Sequence, residues 1–335
     1  MSTKELRGLY VMRDDVFDDV YGPESRKTIE QHVRIEAPQL NADALTERPE
    51  LLNNIDILVT SWGCPPINEE LLSHAPHLRA VFYAAGSVRS VVSPAAWDRK
   101  LTVVAGKDVI AERVAEFATS VIHLSLKHVW YYERRAWLER TWVQRRPVPG
   151  TVGSRVGLVS LGSVAQHLAG HLSRSALEVV FYDPYLSSDV LARFGSCRPV
   201  SLSELFSTSD VVSLHTPLSS ETRYMVNHDL LNSLKPGATL VNTARGALVD
   251  PEALVAVLRA RPDLTAVLDV TDPEPLPPGS ELFSLPNVVI TPHIAGNVSL
   301  ERRALGQVIA EEVQRFALGE PLRWAVTPDQ LVHGA

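Results

Sequence analysis

The sequence predicts an α/β protein of two domains, and three observations carry that prediction. From about residue 150 onward one unit repeats, a short apolar run followed by a turn and a helical stretch. The runs are RVGLVS (155–160), EVVFY (178–182), DVVSL (210–214), ATLVN (238–242), LTAVL (264–268) and NVVI (287–290). They are apolar nearly throughout and do not alternate, which is how strands covered by helices on both faces read. Their spacing of roughly 20 to 30 residues leaves room for a crossover between successive strands. A doubly wound parallel sheet, the fold that binds dinucleotides, is the expected result.

The first hundred residues carry a weaker version of the same rhythm. LRGLYVM, IDILVT, LRAVFY and LTVV read as strands, with helical segments such as NEELLSHAP between them. This half has no glycine-rich turn and reads as a companion domain of related architecture. Between the halves, AERVAEFATSVIHLSLKHVW (111–130) is apolar on nearly every helical face, as expected of a helix buried between domains or subunits. LERRALGQVIAEEVQRFALG (300–319) is amphipathic and is expected to cross back to the first domain.

A chain of 335 residues and 36.8 kDa has room for two cores. Hydrophobic residues at 45% and charged residues at 21% are those of a globular protein, and no apolar window is long enough for a membrane span. Charges in MSTKELRGLYVMRDD interrupt the place a signal peptide's apolar core would occupy, so a cytoplasmic location is expected. Cys64 and Cys197 lack metal-ligand spacing and are expected to be plain thiols; no metal site is expected. A net charge of −7 argues against a nucleic-acid surface. One segment runs the other way: YYERRAWLERTWVQRRPVPG (131–150) mixes arginines with Trp137, Trp142 and two tyrosines, a mixture that could bind nucleic acid or an anionic ligand. It reads as an extended arm that packs its aromatics against another part of the protein or a second subunit while its arginines stay solvated.

SLGSVA (160–165) has the outline G-x-G-x-x-G/A with Ser160 in place of the first glycine. The second survives as Gly162, where the backbone can approach a pyrophosphate, with Ser163 and Val164 opening the helix behind it. Ala165 is an accepted third residue. A serine held in the left-handed conformation costs about 1 to 2 kcal/mol, little beside the affinity of a bound dinucleotide. Asp183, in FYDPY 21 residues after Gly162, is in place to accept from the ribose hydroxyls, although an Asp-Pro turn would read the same way. At about 4 Å a 2′-phosphate would meet repulsion on the order of 4 kcal/mol per pair of unit charges from this carboxylate. Because DPYLSSD offers no nearby arginine or lysine, NAD is expected over NADP.

Three further residues follow the last strands, where open α/β sheets bind ligands: Arg245 in NTARGALVD, Glu274 in LDVTDPEP and His293 in TPHIAG. Singly, each has a structural alternative, as a helix cap, a solvated loop charge or a loop histidine. Jointly they fall on consecutive loops at one edge of the sheet.

These blocks, VGLVSLGSVA, YDPY, DVVSLHTPLSSETRYMVN, LKPGATLVNTARGALVDPEAL, LDVTDPEPLP and NVVITPHIAG, resemble the D-isomer-specific 2-hydroxyacid dehydrogenases. The resemblance spans residues from about 51 to 318 and is dense over 155–296. It implies a Rossmann-type NAD domain, 113–298, inserted into a smaller flavodoxin-like substrate domain built from 1–112 and 299–335, and usually a homodimer formed around the long helices and an aromatic arm. It also implies roles. Arg245 would hold the substrate carboxylate and polarise the C2 oxygen. His293 would exchange the hydroxyl proton, and Glu274 would pair with the imidazole and favour its protonated form. Asp269 matches an acid beside the nicotinamide; His215, Thr216 and Pro217 match a loop along the cofactor; Thr243 and Ala244 would lend backbone contacts. Glutamate at 274 separates hydroxyacid chemistry from the formate dehydrogenases of the same superfamily, which have glutamine there.

The substrate half departs from the family. Its loop after the third N-terminal strand usually reads like G-V-G-x-D-N, whereas this chain has AAGSVRSVV (84–92). Gly86, Ser87 and Val88 can still offer amides to a carboxylate. Arg89 and Lys107 are candidate extra cations or plain surface charges. Two alternatives to a 2-hydroxy-acid enzyme follow: a cofactor-sensing interaction protein of the corepressor kind, and a same-fold dehydrogenase of a phosphorus oxyanion or phosphonate.

Overall fold

The computed structural model describes residues 5–186 and 197–328, and the chain divides into two compact units, 1–110 with 297–335 and 111–296. The larger unit holds a seven-stranded, all-parallel sheet. Numbered through the whole chain, its strands are β6 (Arg155–Val159), β7 (Glu178–Tyr182), β8 (Cys197–Pro199), β9 (Val211–Leu214), β10 (Thr239–Asn242), β11 (Thr265–Leu268) and β12 (Val288–Ile290). Their spatial order is β12-β11-β10-β9-β6-β7-β8, so the chain reverses direction between β6 and β9. That reversal is the switch point at which doubly wound sheets leave a ligand crevice.

Alternate residues of the central strands feed two separate cores. Val180, Leu240 and Ala266 join one, while Val179, Phe181, Val241 and Val267 join the other. Burial on both faces is why these runs carry no polar alternation.

The smaller unit is built on β1 (Leu6–Val11), β2 (Val33–Ile35), β3 (Ile57–Thr60), β4 (Ala80–Tyr83), β5 (Thr102–Ala105) and β13 (Ala325–Val326), in the order β13-β5-β4-β3-β1-β2. Its first five strands run parallel in the flavodoxin-like order, and β13 closes the edge antiparallel to β5. The helix Arg302–Leu318 belongs to this unit and packs Leu305, Ile309 and Val313 into its core.

Three strands escape the sequence reading: β2, β8 and β13, all at sheet edges and at most three residues long. An edge strand of two or three residues needs no apolar run, and VRI, CRP and AV have none long enough to register. The segment read as one helix over 111–130 is two. The first, Lys107–Ser125, buries a single stripe (Ala111, Val114, Ala115, Ala118, Val121, Ile122) and leaves Leu124 exposed. His128 then takes φ +52° and breaks the path before a second helix, Val129–Glu139. The arm expected to be extended is therefore helical in its first half. That helix buries none of its residues within the chain, and Trp137 (60% exposed) and Trp142 (79%) face outward.

Candidate active site

The register of the larger sheet assembles the site. Tyr182 pairs with Val159, Val159 with Leu214, Leu214 with Asn242, Asn242 with Leu268 and Leu268 with Ile290. These last strand residues lie in one row. The residues that follow them, Asp183, Ser160, His215, Thr243, Asp269 and Thr291, therefore leave the sheet along one carboxyl-terminal rim.

At the switch point Gly162 caps the helix Ser163–Leu172 in extended backbone, φ −68° and ψ −173°, and as a glycine brings no capping side chain of its own. A Cβ built on Gly162 would meet nothing within 4 Å, so the glycine leaves open space at a helix N-terminus, where an anion is favoured. Ala165 is fully buried against the sheet, as the third position of the turn requires. Ser160 has φ +73°, the left-handed conformation that a glycine would take without strain. Asp183 lies against this turn: its Oδ2 accepts from Leu161 N–H at 2.8 Å and from Ser160 Oγ at 3.1 Å. Part of DPYLSSD, residues 187–189, lies outside the described residues.

Across the switch point, His215 N–H donates to Val159 O at 2.9 Å and Thr216 Oγ1 to the same carbonyl at 3.2 Å, which ties the loop after β9 to the end of β6. The His215 imidazole is buried, and burial pushes its pKa down to about 4, so it is neutral at physiological pH. Its Nε2 and the buried Thr243 Oγ1 find no hydrogen-bond partner among the described residues. Orphaned polar atoms on the rim, with the open helix N-terminus, fit a bound dinucleotide.

Arg245 stands on the loop after β10. Asn242 shapes that loop by accepting from Ala244 N–H at 3.1 Å and donating to Arg245 O at 2.8 Å. The Arg245 guanidinium is exposed; it donates to Ala244 O and pairs with no carboxylate among the described residues. Gly246 follows it, and a Cβ there would sit 1.9 Å from the carbonyl carbon and oxygen of Thr271. Only glycine lets the Arg245 loop meet the backbone that leads into Glu274. Beyond Thr271 the same loop is held from outside, since Asp272 Oδ2 accepts from Tyr224 Oη at 2.7 Å and from Arg223 Nη2 at 3.2 Å.

His293 has φ +56°, also in the left-handed region, and its N–H donates to Asp269 O at 3.0 Å. The Asp269 side chain, 2% exposed, accepts from Thr291 Oγ1 at 2.5 Å, Ile294 N–H at 2.9 Å and Ala295 N–H at 2.8 Å. Four bonds to one aspartate thus over-determine a conformation that costs about 1 to 2 kcal/mol. The result is a fixed imidazole whose Nδ1 lies 2.6 Å from Glu274 Oε1, both side chains half exposed. A carboxylate accepts only, so Nδ1 carries the proton and Nε2 is left free to exchange one.

Residues 119–295 match the family described as "D-isomer specific 2-hydroxyacid dehydrogenase, NAD binding domain". The chain belongs to this family. It is 31% identical over 283 residues to a glyoxylate reductase of Thermofilum pendens, covering 82% of each protein. It is also 33% identical over 255 residues to an (S)-sulfolactate dehydrogenase of Chromohalobacter salexigens, covering 76% of this chain and 82% of that one. A D-isomer-specific 2-hydroxyacid dehydrogenase of Xanthobacter autotrophicus Py2, solved with NADPH and MES, superposes with a TM-score of 0.74 at 25% identity over 96% of this chain and 99% of that one. This protein is accordingly a nicotinamide-dependent oxidoreductase of the 2-hydroxyacid dehydrogenase type. Among its described residues no helix is long and apolar enough to cross a membrane.

Within this dehydrogenase the larger unit brings together Glu274 with His293, Ser160 with Asp183, and the Arg245 loop with the loop leading to Glu274. Gly86, Ser87 and Val88 follow β4 in the smaller unit, and their N–H groups make no backbone hydrogen bond among the described residues. Asn242, Gly246, Tyr224 and Thr291 support the site without standing out in the sequence. Only Gly246, directly after a candidate arginine, carried a local hint.

Two expectations follow. Gly246→Ala should lower turnover by about tenfold or more, because overpacking of about 1 to 3 kcal/mol falls between Arg245 and Glu274; steady-state kinetics at wild-type levels would show that the two loops tolerate separation. His215 accepts a proton in the unfolded chain near pH 6.5 but not in the folded one until about pH 4. Folding stability should therefore fall as pH drops through that window, by up to about 3 kcal/mol from this group. Urea denaturation at a series of pH values should give a shallower acid loss for His215→Asn, and parallel curves would assign the acid loss to other groups.

Proposed function

We propose that this dehydrogenase interconverts a D-2-hydroxy acid and its 2-keto partner, with unit 111–296 holding NAD and unit 1–110 with 297–335 receiving the substrate. The observation that carries this reading is the 2.6 Å bond between His293 Nδ1 and Glu274 Oε1 on the same sheet rim as an arginine without a carboxylate partner among the described residues. Bound nicotinamide supplies or receives the hydride at C2. His293 Nε2 takes the hydroxyl proton during oxidation and returns it to the carbonyl oxygen during reduction, while Glu274 stabilises the imidazolium in between. Arg245 binds the carboxylate and draws electron density toward the C2 oxygen. The N–H groups of Gly86, Ser87 and Val88, which make no backbone hydrogen bond among the described residues, suit a substrate carboxylate.

For the cofactor, Gly162, Ser163 and Val164 receive the pyrophosphate and Asp183 the adenosine ribose, with NAD preferred over NADP by charge repulsion. His215, Thr216, Pro217, Thr243, Ala244 and Asp269 line the rim beside it. The small-acid names of the relatives, and sulfolactate among them, support a substrate of about three carbons that can carry a second anion. Exposed Trp137 and Trp142 on an arm that buries nothing of its own support a homodimer through residues 131–150.

Fluorescence titration with NADH and NADPH side by side, followed by absorbance of the reduced nicotinamide with glyoxylate, pyruvate, hydroxypyruvate and their phosphorylated or sulfonated analogues, tests the reading. Tighter NADH binding and turnover of at least one acid are expected; equal or tighter NADPH binding would overturn the cofactor choice. His293→Ala should cut turnover by about 10²- to 10⁴-fold with NADH affinity kept, and unchanged turnover would remove His293 from the chemistry. Sedimentation should give twice the chain mass of 36.8 kDa, falling to one chain in Trp137→Asp/Trp142→Asp; a wild-type monomer would overturn the dimer.

A further inference from the structure

Ser160 occupies a position where a glycine would be relaxed, at φ +73°, and its side chain is in use there. Its hydroxyl donates to Asp183 Oδ2 at 3.1 Å, beside the Leu161 N–H bond of 2.8 Å to the same oxygen, while Tyr185 N–H donates to Oδ1 at 3.0 Å. An ionised carboxylate offers about four acceptor positions. Three are filled by described residues, so Asp183 keeps one for a ligand. A ribose presents two hydroxyls.

We propose that Ser160 is a positioning residue that sets how strongly Asp183 discriminates between dinucleotides. Its hydroxyl occupies the acceptor position that a second ribose hydroxyl would use. The same bond draws off part of the negative charge that would repel a 2′-phosphate. Ser160 thus moderates the NAD preference that Asp183 alone would impose. The two backbone bonds to the carboxylate, from Leu161 and Tyr185, do not depend on the residue at 160, so the turn and the clamp are separable. This inference rests on the reading of Asp183 as the ribose acceptor and deepens it.

The test compares NADH and NADPH dissociation constants, by fluorescence titration, for the wild type, Ser160→Gly, Ser160→Ala, Asp183→Ser and the double variant Ser160→Gly/Asp183→Ser. The denaturation midpoint of each protein without dinucleotide is measured beside them. Releasing one hydrogen bond from a charged acceptor should widen the NADH preference roughly tenfold in Ser160→Gly. Ser160→Ala should widen it similarly but unfold earlier than Ser160→Gly, because alanine keeps the left-handed strain and loses the bond. In the Asp183→Ser background the Ser160→Gly change should move the preference less than about twofold, as two residues acting through one carboxylate require. An unchanged or narrowed preference in Ser160→Gly, or a shift that persists without Asp183, overturns the proposal. If Asp183→Ser alone leaves the preference unmoved, the ribose reading fails first and the clamp with it; if Asp183→Ser moves it and Ser160→Gly does not, only the clamp fails.

Discussion

The register of the parallel sheet is the constraint on which the rest of the larger unit depends. Six strands end on one row, from Tyr182 to Ile290, and every candidate site residue of this unit is carried by a loop that leaves that row or by the helix that opens from the first of them. Slipping any strand by one residue would turn its side chains to the opposite face. Here both faces are buried in different cores, with Val180 on one side and Phe181 on the other, so each register is held by packing rather than by the loops. The chemistry at the rim is thus positioned by apolar residues that take no part in it.

Ser160 and His293 hold strained backbone conformations at that rim, and both are tied to an aspartate that follows a strand. Ser160 at φ +73° bonds Asp183 after β7, and the loop of His293 at φ +56° is gathered on Asp269 after β11. Each aspartate is presented at a fixed height by the row, so the strained turn is held by a partner that is itself rigid. Local strain placed on such supports fixes the direction of a functional group. Gly246 contributes the complementary device, an absent side chain that lets two loops touch at backbone distance.

Much of this was legible in the residues. Central strands are apolar on both faces, so all five of the larger unit appear as unbroken runs, as does the edge strand β12, and the spacing between them reports the crossovers. Glu274 and His293 could be placed on neighbouring loops from strand order alone. Three of the four edge strands, β2, β8 and β13, were not legible, because a strand of two or three residues that pairs on one side only needs no apolar pattern. The break at His128 was hidden as well: the residues around it suit a helix, and only its φ of +52° separates the two segments.

By itself, then, the sequence determined the fold class, the family, and which loops carry Arg245, Glu274, His293, Gly162 and Asp183, since each follows from local composition and from order along the chain. Tertiary structure decided how those groups are held. Tyr224 reaching Asp272 across 48 residues, Asp269 collecting donors from 291–295, and the Ser160 hydroxyl turned onto a carboxylate 23 residues away are all choices of partner. A hydrogen bond depends on distance and angle in space, and separation along the chain sets neither until the sheet has brought the loop ends together.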